Sequence, residues 1–444
     1  MTSFNTVLHL PAQAAAETEA TIIRWLVSEG DTFKKDQILA EVESAKSTFD
    51  FEAPCEGKVE KLLYNEGASV PFENPVMEIT TSDPSMHENS QAGSGEKQEV
   101  KQEESANPQK MELTPKAAVH SAPREISMLG FGTYLPTRVV KTDELLSEFP
   151  NITEDYIYGV TGIKERRWAS SEEKPSDMAY QASLKAIEES GLSTKDIGAI
   201  VVSTTTPDVV MPSTACILQG MLGIRGVPAF DLNAACSGWL YAISTAKGLI
   251  LSGVADNVLV TAVDMQSRVL DKNDKDTYFL FGDGAGATVV SGSRSGHIIK
   301  QEILSADSDG LHMARRHYPG YEVPDNSADF DPWVRLDGKA LFRFATESFS
   351  SLVRELVVKS NWQPQDVRWV VPHQANGRII KAAARKSGIS FERFYLNIDR
   401  VGNTSSASIP IALSEIEKGL QKGDKVIFCT VGAGITAAGL SLEW

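Results

Sequence analysis

From 81 to 123 the chain runs through Ser, Glu, Gln, Lys, Asn, Gly and Pro without one Phe, Tyr or Trp. Such a stretch buries too little apolar surface to offset the entropy lost on folding, so it reads as a linker. It divides the 444 residues into separately folding parts: a small unit at 1–80, a linker at 81–124, and a body whose halves are 125–295 and 296–444. Treated as a flexible coil of about forty residues, the linker spans roughly 35 Å r.m.s..

The small unit is built of short strands and polar turns. Residues 20–27 run into the turn Glu29-Gly30-Asp31, 38–42 and 57–63 are further strands, Asn65-Glu66-Gly67 is another turn, and 75–79 closes the set. Between two of these strands stands Glu43-Ser44-Ala45-Lys46-Ser47, with Ala53-Pro54 downstream. The segment resembles a biotinyl/lipoyl attachment domain, a small all-β barrel that presents one lysine at a hairpin tip. That resemblance puts Lys46 at the modified position. Biotinyl domains resemble Met-Lys-Met there, whereas Ala45 and Ser47 flank Lys46 and the acidic Glu43 fits the lipoyl pattern. The resemblance therefore implies a lipoyl cofactor on Lys46, with a lipoyl ligase and a 2-oxo acid dehydrogenase complex as partners.

The body alternates apolar strands with helical patterns. Strands are expected at 127–133, 197–204, 227–232, 257–263, 286–292, 298–305, 367–371, 425–431 and 436–444, and helices at 176–191, 240–251, 341–360 and 377–387. Alternation of this kind implies an α/β layered fold with largely buried sheets.

Three strand-to-helix turns carry chemistry-bearing residues. Cys236 lies in Ala234-Ala235-Cys236-Ser237-Gly238-Trp239, His373 in Val371-Pro372-His373-Gln374-Ala375-Asn376, and Asn403 in Gly402-Asn403-Thr404-Ser405-Ser406-Ala407-Ser408. A cysteine at a helix N-terminus is a candidate thiolate nucleophile. One flanked by Ala and Gly is more often a small core residue, and the imidazole and amide donors on matching turns shift the balance.

With Phe281-Gly282-Asp283-Gly284-Ala285-Gly286-Ala287 these motifs follow in order along 126–444, and the segment resembles a 3-oxoacyl-ACP synthase III, a condensing enzyme. The resemblance implies a thiolase-like layered fold with two pseudo-repeated halves and a homodimer. It also implies catalysis by Cys236, His373 and Asn403, an oxyanion held by the backbone of Cys236 and Ala433, and acyl carrier protein (ACP) as partner. The glycines of 282–286 lack the spacing of a dinucleotide loop and read as backbone packing.

The resemblance also locates the substrate-facing positions. Tyr156 and Lys275 stand where the family clamps the CoA/pantetheine tunnel with Trp and Arg, and Val160 where another Arg approaches the phosphates. A smaller ring and a compact ammonium weaken nucleotide binding. Met211 matches the position that walls the partner's acyl pocket, and Arg343, Arg378, Arg385 and Lys386 match the face that docks ACP. The expected reaction is decarboxylative condensation of an acyl thioester with malonyl-ACP, beginning a fatty acid or polyketide. The short or branched starter would come from acyl-CoA or from an acyl-lipoyl donor on Lys46. Alternatives are an acyl-CoA-dependent synthase whose barrel only docks a dehydrogenase complex, and a non-condensing acyltransferase with His373 as base.

The net charge of −16 argues against nucleic acid. The four cysteines show neither metal-ligand nor disulfide spacing, and no metal is expected. Without a signal-like N-terminus or an apolar run long enough for a bilayer, the expected location is the cytoplasm, off the membrane. His297, His312 and His317 are expected at the solvated surface.

Overall fold

A computed structural model describes residues 3–11, 19–44, 48–72, 74–86, 125–317, 327 and 329–444. Two compact units separate at 109/110. Among the described residues no helix is long and apolar enough to cross a membrane.

The first unit has strands β1 (Phe4–His9), β2 (Glu19–Trp25), β3 (Thr32–Phe33), β4 (Ile38–Ser44), β5 (Thr48–Glu52), β6 (Gly57–Leu62), β7 (Ser69–Pro71) and β8 (Pro75–Thr81). They form two four-stranded sheets, β1-β8-β6-β3 and β5-β4-β2-β7. Side chains alternate across each strand, so Ile22, Leu39, Val42, Val59, Val70 and Ile79 are all buried in one core. The acidic residues of the two turns satisfy strand edges: Glu29 Oε1 accepts from Leu62 N (3.0 Å) and Glu66 Oε1 from Trp25 N (2.9 Å). Gly67, at φ 84°, donates its N–H to Ile22 O, a left-handed turn position that favours glycine. The unit runs past the expected boundary at 80, because β8 ends at Thr81 and Met86 is buried in the barrel core. β4 and β5 pair as far as Glu43 opposite Thr48, and Lys46 lies outside the described residues.

The body contains β9 (Ser127–Tyr134), β10 (Val139–Lys141), β11 (Glu165–Arg167), β12 (Ala199–Ser203), β13 (Ala229–Leu232), β14 (Asn257–Met265) and β15 (Asp283–Ser291) in its first half. The second half has β16 (His297–Ala306), β17 (Ala314–Arg315), β18 (Arg335–Leu336), β19 (Val367–Pro372), β20 (Lys425–Gly432) and β21 (Thr436–Glu443). The helices are α1 (Thr142–Leu145), α2 (Glu154–Thr161), α3 (Pro175–Glu189), α4 (Thr214–Met221), α5 (Gly238–Leu251), α6 (Gly338–Lys359), α7 (Gly377–Ser387), α8 (Ile398–Val401) and α9 (Ser408–Ile416).

Nine of the strands form one sheet, β13-β12-β14-β15-β9-β16-β21-β20-β19, whose halves join where His297 and Ile298 of β16 meet Met128 and Ser127 of β9 and Ile299 N donates to Ile126 O. The two halves repeat one plan. β14, β15 and β9 follow β12 as β20, β21 and β16 follow β19, and the place of β13 is taken by a single bridge from Phe394 to Val370.

Each half-sheet is buried on both faces, which is why its strands read as apolar runs. In β14, Val258, Val260 and Ala262 face α5 and α9, whereas Leu259, Val263 and Met265 face α3 and α4. In β20, Val426 and Phe428 face the same central helices, and Ile427, Cys429 and Val431 face α6 and α7. The result is five layers, with α5 and α9 enclosed between the half-sheets. Gly284 and Gly286 of β15 lie so close to α9 that a Cβ on either would meet Ile411 or Pro410 within 2.8 Å. They are packing glycines in a strand rather than in a loop.

One histidine expectation is corrected here. His297 is part-buried rather than freely solvated: its ring stacks on Trp444 at 3.6 Å and beside Phe131, and burial lowers its pKa to about 4.

Candidate active site

The enclosed helices start from matched turns. After β13, Asn233 Oδ1 accepts from Ala235 N (3.1 Å), Ala235 takes φ 47°, and one 3-10 turn leads into α5. After α8, Asn403 Oδ1 accepts from Ser405 N (2.9 Å), Ser405 takes φ 51°, and one 3-10 turn leads into α9. A short amide side chain bonding two residues ahead is what lets a non-glycine residue sit in the left-handed region. By this equivalence Cys236 corresponds to Ser406, and Asn403 to Asn233.

The buried carboxylate of Asp264, at the end of β14, ties the two halves together. Its Oδ2 accepts from Ser406 N (3.0 Å) and Oγ (2.6 Å), and its Oδ1 from Thr205 N (2.8 Å) and Oγ1 (2.7 Å). Nothing in the motif reading singles out this residue; its sequence signal is a lone acid in an apolar strand.

Cys236, His373 and Asn403 line one cavity of about 650 Å³, together with Ser405 and Ala433. Its walls are mainly apolar and include Leu336, Leu341, Phe342, Phe349 and Ile379. The β18 part of the wall is anchored from behind, where Arg335 donates to Asp271 (2.8 Å), Asp274 (3.2 Å) and Asp331 (2.7 Å).

Cys236 Sγ stands 3.6 Å from Ser405 Oγ, and Cys236 O accepts from Thr430 Oγ1 at 3.0 Å. Burial pushes the thiol up to about 12, with the Ser405 hydroxyl pulling the other way. Desolvation therefore opposes the thiolate that a helix N-terminus favours. The end of β20 presses on the same turn, since a Cβ on Gly432 would approach Cys236 N to 2.8 Å. Ala433 is outside the left-handed region that Asp36, Ala235, Asn361 and Ser405 occupy among the described residues, so its Cβ is accommodated.

His373 is 1% exposed and held by its backbone, with His373 N donating to Cys429 O at 2.8 Å. Its Nδ1 lies 2.6 Å from Ser408 Oγ. Burial lowers its pKa to about 3, so the ring is neutral. The two polar neighbours in its motif are scaffolding. Gln374 bonds Pro372 O and Tyr395 O and accepts from Asn397 N, while Asn376 caps α7 at Arg378 N and reaches Val160 O.

Residues 230–308 match the family model described as 3-Oxoacyl-[acyl-carrier-protein (ACP)] synthase III, and 357–444 match the model for its C-terminal part. Beta-ketoacyl-[acyl-carrier-protein] synthase III of Clostridium beijerinckii is 40% identical over 332 residues, covering 72% of this chain and 99% of that protein. The chain belongs to the beta-ketoacyl-[acyl-carrier-protein] synthase III family. The crystal structure of 3-oxoacyl-[acyl-carrier-protein] synthase III from Aquifex aeolicus superposes on the synthase body with a TM-score of 0.67 at 38% identity, covering 72% of this chain and 100% of that one. The priming β-ketosynthase from the R1128 polyketide pathway gives 0.68 at 32% identity, covering 73% and 98%. Residues 6–79, ahead of the synthase, match the model described as Biotin-requiring enzyme.

The remaining expected positions lie around the synthase rather than in its cavity. Met211 is 84% exposed, next to Val210, which does line the cavity. Tyr156 on α2 is exposed, and the Lys275 ammonium is 2.6 Å from Asp276; neither lines the cavity. Arg343 on α6 and Arg378, Arg385 and Lys386 on α7 are exposed on two helices that pack together, and Lys386 is ion-paired with Glu347. Ser405, Ser408 and Asp264 are the polar residues the motif reading passed over. Among the described residues no His, Cys, Asp and Glu cluster could hold a metal.

Proposed function

We propose that the synthase joins an acyl group held on Cys236 to the two-carbon unit of malonyl-ACP, giving 3-oxoacyl-ACP. The convergence of a thiol, a neutral imidazole and a carboxamide on one largely apolar cavity carries this reading. Cys236 sulfur attacks the acyl thioester carbonyl, the C–S bond to the carrier breaks, and the carrier leaves as a thiol with the cysteine's proton. The N–H groups of Cys236 and Ala433 hold the oxyanion. Malonyl-ACP then loses carbon dioxide, and the enolate oxygen receives hydrogen bonds from His373 Nε2 and Asn403 Nδ2. Asn403 Oδ1 is already taken by Ser405 N, which leaves the amide's donor side for substrate. The enolate carbon attacks acyl-Cys236, a C–C bond forms, and the departing sulfur takes up a proton to restore the thiol.

Two peripheral features bear on the donor. The Lys275 ammonium is engaged by Asp276, and Tyr156 presents a small ring, which together favour weak recognition of the CoA nucleotide. The barrel's β4 and β5 frame the sequence position of Lys46, the residue that would hold a lipoyl group. Bound there, that group would supply a disulfide ring that, once opened to its dithiol, carries an acyl group as a thioester on one sulfur. Branched or short starters from a 2-oxo acid dehydrogenase complex, a lipoyl ligase and a cytoplasmic homodimer complete this reading, with Met211 facing a second copy and the α6–α7 arginines facing ACP.

The decisive experiment separates the half-reactions. His373→Ala and Asn403→Ala lower carbon dioxide release from malonyl-ACP about 100-fold while Cys236 still acquires acyl mass. Equal loss of both half-reactions would refute the assigned roles. Intact mass of the protein from its own host, compared with Lys46→Arg, reports the lysine modification.

A further inference from the structure

Ser408 opens α9 five residues past Asn403, as Gly238 opens α5 five residues past Asn233. In the first half that position has no room for a side chain, because a Cβ on Gly238 would lie 1.9 Å from Ser203 Oγ. In the second half the room is filled by a hydroxyl against a ring: Ser408 Oγ is 2.6 Å from His373 Nδ1 and accepts from Gln374 N at 3.3 Å. Ser408, His373 and Gln374 are at most 1% exposed.

A serine hydroxyl has one proton and two lone pairs. The Gln374 N–H occupies one lone pair. Were Nδ1 also a donor, both lone pairs would be used and the hydroxyl proton would point at nothing, since Ser408 Oγ has no third hydrogen-bond partner among the described residues. A buried unmet donor costs about 1–3 kcal/mol. With the hydroxyl donating to Nδ1 every proton is placed, and the neutral ring keeps its single N–H at Nε2. Tautomers are fixed by such a partner on the far nitrogen.

We propose that Ser408 is the positioning residue that holds His373 in its Nε2–H tautomer, making the ring a hydrogen-bond donor to the enolate rather than a base. The inference rests on the condensation reading for its consequence, but not for the tautomer itself. Ser408 touches no reacting atom and acts through the ring. The first half cannot make the same device, because the corresponding position is glycine.

The test uses the full chain labelled with ¹⁵N-histidine, and long-range ¹H–¹⁵N spectra that distinguish the two ring nitrogens. His373 is assigned by the signal missing from His373→Asn. The wild type is expected to show Nε2 protonated, Ser408→Ala to gain Nδ1–H, and Ser408→Thr, which keeps the hydroxyl, to retain the wild-type pattern. Decarboxylation of malonyl-ACP falls about tenfold or more in Ser408→Ala, with alkylation of Cys236 by iodoacetamide within about twofold of wild type. An Nδ1–H signal in the wild type overturns the proposal even if no variant folds. So does an unchanged tautomer in folded Ser408→Ala. A wild type that shows the Nε2–H tautomer yet releases no carbon dioxide would refute the condensation reading alone.

Discussion

Cys236 Sγ and Ser405 Oγ meet at 3.6 Å across 169 positions of chain. The contact joins the equivalent turns of the two halves and is the hydrogen-bonding contact of the nucleophile's sulfur among the described residues. It does not offset burial, and the thiol rests protonated with its pKa pushed up to about 12. Alkylation of Cys236 by iodoacetamide is therefore expected to rise about tenfold per pH unit from about pH 7 to 9, without a plateau. Intact mass against time measures it, and a plateau below pH 8 would mean that thiolate predominates at rest.

His373 titrates on the other side of neutrality. Its usual value of 6.5 drops to about 3 through burial, so the folded protein holds the ring neutral where the unfolded chain would protonate it. The associated stability is complete above pH 6.5 and is lost as the pH falls from there toward 3. Urea unfolding should show a slope in this window that His373→Asn reduces by about 1.4 kcal/mol per pH unit. Decarboxylation, by contrast, should show no histidine ionisation between about pH 6 and 9.

Asp264 is fully buried and accepts four hydrogen bonds from Thr205 and Ser406. Asp264→Ala leaves the backbone N–H groups of Thr205 and Ser406 without their partner, and a loss of about 3 kcal/mol or more is expected in urea unfolding. A change below about 1 kcal/mol would mean that water replaces the carboxylate.

Gly238 is dictated by one neighbour. Gly238→Ala drives a methyl onto Ser203 Oγ, 1.9 Å from the added carbon, and should cost about 2–3 kcal/mol. Ser203→Gly in the same chain removes the clash and should recover at least half of that. A double variant no better than the single one would show that the turn itself, not the contact, rejects the side chain.

Much of the scaffold was legible in the chain. The strand-and-helix alternation of the body, the expected helix at 377–387 that is α7, and the three turns bearing Cys236, His373 and Asn403 could all be marked from periodicity and small-residue punctuation. These signals are local: a strand buried on both faces must be apolar throughout, and a tight turn must carry Gly, Ala, Ser or Asn. The equivalence of Asn233-Ala234-Ala235-Cys236 with Asn403-Thr404-Ser405-Ser406 was not legible. The two stretches share only the asparagine, and the likeness lies in backbone angles and in the asparagine's bond two residues ahead. The partial burial of His297 was not legible either, because it comes from Trp444, a stacking partner remote in sequence.

The amino-acid order by itself determined the division at the linker, the α/β class of the body, and the residue types available for acyl chemistry. These follow from hydrophobic period, turn chemistry and composition, each of which acts over a few neighbours. The ionisation and bonding of those residues were decided by the tertiary structure. Desolvation and hydrogen-bond partners depend on what packs around a group, and for Cys236 and His373 those surroundings are the ends of β20 and α9, nearly two hundred residues beyond the cysteine and some thirty to sixty beyond the histidine.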